Sequence, residues 1–368
     1  MTVSPTDSGA YPPGTAAPVP TRGAAGSAAP PVLTGRRSPV NAAPSPGVPA
    51  GQPVDMATLW TTSFPGWVRA PRSVPREFGG GRQVELVWLT AASLRPGCPL
   101  VSVSSADGGV GRSTLVAALG GLLALACPQP VLAVDLTGRA WGGLADRVGR
   151  RNGASVWDAA SDVDRLTSRQ AVERLVQHGP TGLHTLVGER EMTSRRRPPS
   201  GDEMTRLVAR LQKLYPLALL DLPPADTKFA WTALTWGSAP VLVARATQDS
   251  LRHSMRLVAQ LRAVGLGAMA DHVVLVVMET SARVPGEVKA AERQARGVVG
   301  EVVRVPYDRN LARPDPVDPR RLRGATRGAL VDVAAAVLRL CPADPQAAAT
   351  VVDPPGTWPN VFQGEESG

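Results

Sequence analysis

Cysteine is scarce in this chain: Cys98, Cys127 and Cys341 are the only three among 368 residues. They stand far apart, show no C-x-x-C spacing and are odd in number. That excludes a disulfide scaffold, a structural zinc ribbon and a thioredoxin-like motif, and it predicts a reducing, cytoplasmic setting. Lysine is equally rare: Lys213, Lys228 and Lys289 are its only occurrences among 40 basic residues, so the net charge of +9 rests on arginine. Long apolar runs are absent too. The longest, Leu115 to Cys127, has 13 residues and includes two glycines, whereas a bilayer-spanning helix needs about 20, so no integral membrane segment is expected. Met1 to Gly14 lacks the basic-then-apolar order of a secretory signal. The four histidines, His178, His184, His253 and His272, share no H-x-x-x-H or H-E-x-x-H spacing and read as surface or core residues rather than metal ligands. No G-x-S-x-G elbow marks a serine nucleophile.

Proline, alanine and glycine are abundant at the ends. Residues 1–55 hold 12 of the 36 prolines and almost no large apolar side chains, so they cannot bury enough surface to offset the entropy of ordering and are predicted to be a disordered arm. A piece such as Tyr11-Pro12-Pro13 suits an aromatic groove that reads polyproline II, but a solvated spacer fits the composition better, and the arm's protein partner is unspecified. Residues 341–368, with five prolines and an acidic end, are expected to be a disordered tail. Residues 56–97, carrying Trp60, Trp67 and Trp88, are expected to pack on the core as an extension.

Between these ends, residues 98–340 alternate short apolar runs with amphipathic stretches, the pattern of an α/β fold with a doubly wound, mostly parallel sheet. The expected strands are Leu100–Ser104, Val131–Asp135, Leu217–Asp221, Val241–Arg245 and Val273–Met278. Helices are expected over Ser113–Ala126, Asp202–Leu214, Leu251–Val264 and Arg323–Leu340.

The segment between the first strand and the first of these helices is the most informative. Ala106-Asp107-Gly108-Gly109-Val110-Gly111-Arg112-Ser113-Thr114 is a glycine-rich loop that ends in a hydroxyl pair at a helix start. Glycines let successive N–H groups turn toward one anion, and the helix N-terminus adds partial positive charge. Against G-x-x-x-x-G-K-[ST], Gly111 and Ser113 match, Ala106 replaces the first glycine, and Arg112 replaces lysine. Ser113 is placed to hold Mg²⁺. Asp135 and Asp221 each close an apolar strand, which brings both to the ligand-binding edge of a parallel sheet, and a strand closed by Asp is what a Walker B site uses in the magnesium shell.

These motifs, in this order, resemble the ParA/MinD family of P-loop ATPases. The family's deviant K-G-G-x-G-K-[ST]-T is similar to Asp107 through Thr114, its V-D-x-D to Val134-Asp135-Leu136-Thr137, its proline-followed Walker B to Leu220-Asp221-Leu222-Pro223-Pro224, and its I-P-x-D to Val305-Pro306-Tyr307-Asp308. The resemblance implies ATP with Mg²⁺ in the loop 106–114, Pro306 and Asp308 in the nucleotide site, and Ser113 and Asp221 at the metal. It further implies Asp135 and Arg112 as catalytic residues, an ATP-dependent homodimer, and a role in DNA partition or in positioning a conjugation or secretion machine.

Four departures set the expectation for activity. Asp107 stands where the family has a lysine that reaches across a dimer toward the partner's phosphates. At 4 Å two unit charges interact by about 4 kcal/mol at an effective dielectric of about 20, so a carboxylate there repels phosphate. Arg112 keeps the charge of the second lysine in a bulkier, planar fork. Thr137 replaces the second Asp, and Glu279 stands where an Asn often lies near the base. A weak, slow or inactive ATPase is therefore expected. The competing readings are a non-catalytic scaffold of the same fold and a non-specific DNA-binding module that uses Arg304, Arg309, Arg313, Arg320, Arg321, Arg323 and Arg327. The run Ser194-Arg195-Arg196-Arg197-Pro198 reads as a solvated loop.

Overall fold

The computed structural model describes residues 81–94, 99–137, 142–191 and 193–340. The arm 1–55, the tail 341–368 and residues 56–80 of the extension lie outside them. In chain order the elements are α1 (Arg82–Ser93), β1 (Leu100–Ser104), α2 (Arg112–Ala126), β2 (Leu132–Asp135), α3 (Gly143–Val148), α4 (Val156–Ser161), α5 (Arg169–Glu173), β3 (Gln177–His178), β4 (His184–Leu186) and α6 (Gly201–Gln212). The second half contains β5 (Ala218–Asp221), α7 (Lys228–Trp236), β6 (Ala239–Arg245), α8 (Gln248–Ala263), α9 (Gly267–Asp271), β7 (Val274–Met278), α10 (Gly286–Ala295), β8 (Glu301–Val305), α11 (Arg309–Ala312) and α12 (Gly324–Leu340).

The eight strands form one sheet in the order β3-β4-β2-β5-β1-β6-β7-β8, and every pairing is parallel except β3 with β4. The fold is the doubly wound α/β architecture that the alternating pattern implies. All five expected strands form; β3, β4 and β8 are additions. Gln177–His178 is too short and polar to read as a strand alone, and Glu301–Val305 carries two charges in five residues.

Strand parity divides the core in two. Val101 and Val103 of β1, Ala133 of β2 and Val241 and Val243 of β6 point into the layer of α1, α2 and α12. Leu100, Leu132, Val134, Leu220, Leu242 and Ala244 point into the layer of α4, α6, α7 and α8. Both faces are covered, which is why these strands are apolar throughout rather than alternating. Helix α2 is apolar nearly all round because it lies wholly inside the first layer: Leu115, Leu119, Leu122 and Leu123 are each 0% exposed, and burying a leucine contributes about 1.5–3 kcal/mol.

The outer helices show one apolar stripe each. In α6, Met204, Leu207, Val208 and Leu211 face the core, and Ser200 with Glu203 forms a capping box at its start. Helix α1 buries Val84, Val87, Trp88 and Ala91 on one side against the first layer. The Cys127 thiol donates to the Ala91 carbonyl at 3.3 Å, and burial pushes its pKa up to about 12, so it is an unreactive core group.

Candidate functional site

β1 ends at Ser104, and the chain turns through Ser105–Gly111 into α2. Gly111 adopts φ 97°, in the left-handed region, and a Cβ there would sit 3.7 Å from the Met278 side chain at the end of β7. Glycine is needed at this turn because an L side chain would be strained. Among the described residues, the amides of Gly108, Gly109, Val110, Gly111, Ser113 and Thr114 donate to no protein acceptor. Several donors at the positive end of a 15-residue helix make an anion cradle.

The two carboxylates arrive as the sequence implies. Asp135 ends β2, Asp221 ends β5, and they are register partners across this parallel pair. Both are 0% exposed. Asp135 Oδ1 accepts from the Thr137 amide at 3.0 Å and its hydroxyl at 2.6 Å. Thr137, the residue that replaces a second Asp, thus fixes the first. Asp135 Oδ2 and both oxygens of Asp221 have no hydrogen-bond partner. Burial, with the charge of Asp135 next, pushes the Asp221 carboxyl up to about 7. The Ser113 hydroxyl and the charge of Arg112 pull it the other way; the hydroxyl is near enough to favour the ionised form without completing a well-formed hydrogen bond. Burial also raises Asp135, opposed by Thr137, the Gly188 backbone and Arg112.

A backbone segment that sequence reasoning missed closes this pocket. A Cβ on Gly142 would lie 2.1 Å from Asp135 Oδ2, and one on Gly143 would lie 3.6 Å from the Ser113 side chain. Glycine lets the start of α3 press directly on the carboxylate. No local motif announces this, because Gly142 and Asp135 meet only after the chain returns to the sheet edge.

The two departures at the loop have definite partners. Arg112 Nη1 donates to Ser105 Oγ at 3.0 Å, and that hydroxyl donates to the Asp107 carbonyl at 2.5 Å. The guanidinium is therefore bonded to the loop itself, with its charge acting on both buried carboxylates. Asp107 Oδ1 lies 2.7 Å from His253 Nδ1 of α8, so the carboxylate has a hydrogen-bond partner within the chain. Arg245, at the carboxyl end of β6, donates from Nη2 to the Gly109 carbonyl at 3.2 Å and sets a further cation at the loop. Its place at a strand end was legible; the His253 contact, 146 residues away, was not.

Other expected site residues fare differently. Ala106 is half-buried against the second core layer. Pro306 follows β8 at the same sheet edge, and Asp308 is 2% exposed. The Asp308 carboxylate is spoken for: Oδ1 accepts from the Asn310 amide at 2.9 Å and Oδ2 from the Arg323 amide at 2.7 Å. It caps α11 and ties down the approach to α12. Glu279 accepts from Arg304 and from the Tyr307 amide, each at 3.2 Å. Beside the carboxylates, a cavity of about 270 Å³ is lined by Thr137, Pro199, Met204, Pro223, Thr227 and Phe229 among others.

The basic segments are largely paired. Arg196 contacts Asp158 and Glu189, each at 2.9 Å, and lies 6.0 Å from the Trp157 ring, while Arg197 meets Glu203 at 2.8 Å. The run is exposed, as a solvated loop should be, and Arg196 and Arg197 reach from it to α4 and α6. In the C-terminal basic region Arg304 pairs with Glu279 and Glu292, Arg320 and Arg321 with Asp318, and Arg313 with Asp315.

The arrangement can be set beside known proteins. A ParA family ATPase from Chlorobium tepidum TLS superposes with a TM-score of 0.53 at 18% identity, covering 64% of this chain and 97% of that one. The chain has the ParA ATPase fold. At this identity the ParA-like likeness concerns architecture alone. The septum site-determining protein MinD of Pyrococcus horikoshii OT3, solved with Mg-ADP, gives a TM-score of 0.47 at 19% identity over 64% of this chain and 94% of that one. In sequence, the chain is 28% identical over 218 residues to the ESX-1 secretion-associated protein EspI of Mycobacterium tuberculosis (strain H37Rv), covering 58% of this chain. It spans 32% of the length of the curated relatives it matches. No family model matches the chain. Among the described residues of this ParA-like fold, no helix is long and apolar enough to cross a membrane.

Proposed function

We propose that this chain is a magnesium-nucleotide-binding switch, with ATP as its ligand, that serves a protein-secretion machine. The observation that carries the reading is the pair of fully buried strand-end carboxylates with three unpartnered oxygens beside the Ser113 hydroxyl. An uncompensated buried carboxylate is costly, and a divalent cation is the group that removes the cost. The residues present therefore fit the ion: Ser113 and Asp221 would hold it, with Asp135 Oδ2 in the surrounding shell. The amides of residues 108–114 would bind the phosphates, and Asp135, fixed by Thr137, would orient a water. When bound, the magnesium nucleotide supplies the electrophilic phosphate and the charge that neutralises it. The likeness to EspI supports secretion over DNA partition as the setting.

Arg112, bonded to Ser105, is a poor substitute for an ammonium that follows phosphate charge, so binding is expected to outlast turnover. Equilibrium titration of the chain with labelled ATP and ADP, with and without Mg²⁺, tests the reading, alongside phosphate release. Magnesium-dependent affinity that falls at least about tenfold in Ser113→Ala, a loss of about 1.4 kcal/mol, is the expected result. Equal affinity in the variant, or no binding, refutes the reading and favours a scaffold, for which the Asp107–His253 and Arg112–Ser105 contacts already speak.

A further inference from the structure

A second cluster of ligating side chains lies at the other end of the strands. His184 opens β4 and is the register partner of Leu132, three residues before Asp135, so it sits about 10 Å back along the strand direction from the carboxylate edge. It also faces His178 of β3 across the antiparallel pair. The His184 amide donates to the Val131 carbonyl at 3.0 Å, toward β2. The His178–His184 pair is consequently a non-hydrogen-bonded one, the kind in which opposite side chains stand closest. Their rings meet edge to face, with centroids 4.7 Å apart. Glu173, the last residue of α5, completes the group: one ligand atom from each of the three residues lies within 4.8 Å of the other two.

We propose that Glu173, His178 and His184 form a binding site for a borderline divalent cation, zinc above all. Two imidazoles and one carboxylate are a donor set that zinc accepts in three-ligand sites with an open fourth position. His184 is 5% exposed and is held from behind by Tyr215, whose hydroxyl lies 3.1 Å from Nδ1. That contact leaves Nε2 for an ion and supplies the outer hydrogen bond that orients a metal-binding imidazole. Burial keeps the ring neutral, its pKa pushed down to about 4. Tetrahedral ligands about 2.1 Å from zinc stand about 3.4 Å apart, so closure needs roughly an ångström of movement. Glu173 is exposed and has the freedom to supply it. The charge of Arg169 opposes the cation, but its guanidinium is turned to Gln129 Oε1 at 3.1 Å. The bound ion would clip α5 to the β3–β4 pair and offer its open position to water or a partner's side chain.

The test uses the full chain without a polyhistidine tag, stripped by chelator, titrated with ZnCl₂ by calorimetry and with CoCl₂ by absorbance. One equivalent of zinc, tetrahedral cobalt bands without thiolate charge transfer, and at least about tenfold weaker zinc binding in both Glu173→Gln and His178→Gln are expected. Glu173 is exposed, so its variant keeps the proposal testable should the histidine change harm folding; circular dichroism checks both. Ser113→Ala should leave zinc binding unchanged. Absent binding, equal affinity in the variants, thiolate bands that place the ion on cysteine, or loss in Ser113→Ala alone would each overturn the proposal.

Discussion

Replacing Asp221 by asparagine should stabilise the nucleotide-free protein while damaging its function. The carboxyl is fully buried beside Asp135, and its pKa is raised from 3.8 to about 7. A raised carboxyl pKa means that the folded state holds its proton after the unfolded state has lost it. The stability from that protonation is complete below about pH 4 and drains away as pH rises to about 7. Each pH unit in that window costs about 1.4 kcal/mol, or about 4 kcal/mol in all. The asparagine amide cannot ionise, so the variant lacks this loss. Urea unfolding of wild type and Asp221→Asn, followed by circular dichroism in EDTA from pH 5 to 8.5, isolates the titration of the Asp221–Asp135 pair, because groups that do not interact with it cancel in the difference. The variant's advantage should widen by about 2 kcal/mol between pH 5.5 and 7 and then level off. With Mg·ATP at 100 times its Kd that advantage should shrink by about 2.7 kcal/mol, since the ligand stabilises only the binding-competent protein. A pH-independent difference in EDTA, or a variant less stable than wild type at pH 8.5, would show that Arg112 already compensates the carboxylate and would refute the reasoning.

Gly142→Ala drives a methyl group to 2.1 Å from Asp135 Oδ2; a loss of about 1–3 kcal/mol in urea unfolding, typical of overpacking, is expected together with weakened Mg·ATP binding. Asp107→Lys, made with His253→Ala so that no imidazole is held against the new ammonium, should tighten ATP binding about tenfold and promote ATP-dependent dimers in sedimentation velocity. Should ATP leave the oligomeric state untouched in that variant, a dimer closed over the nucleotide is excluded. Arg196→Ala removes the partner of Glu189, whose side chain is 8% exposed, and should cost about 1–3 kcal/mol. Arg196→Lys should recover only part of it, because an ammonium cannot serve Glu189, Asp158 and the Trp157 ring together; full recovery would mean that charge alone matters.

How legible each part was in the sequence depends on how local its cause is. Gly111, Ser113 and the strand-ending Asp135 and Asp221 were readable because phosphate loops and parallel strands are built from contiguous residues with fixed spacing. The buried strands Leu100–Ser104 and Val274–Met278 announce themselves by unbroken apolar runs. Gln177–His178 does not, because its extended form is imposed by pairing with β4 and not by its own residues. The same holds for the His178–His184 pair, whose members are joined by a turn and do not show helical metal-binding spacing. Asp107 looked repulsive when read alone; its histidine partner comes from a helix more than a hundred residues later. Asp308 was read from a motif as a site residue, whereas the structure spends both its oxygens on backbone amides.

The strand order has a consequence for how copies of this protein can meet. A sheet whose outermost ladder is long and apolar invites a second molecule to add its own strands. Here one border is β3, only two residues long, and the other is β8, whose Glu301 and Arg304 are engaged with Arg339, Glu279 and Glu292. Among the described residues, the shortness of the one border and the charges of the other discourage continuing the ladder into another chain. Fibre-like growth through the sheet is thereby disfavoured, and any meeting of copies is left to side-chain surfaces.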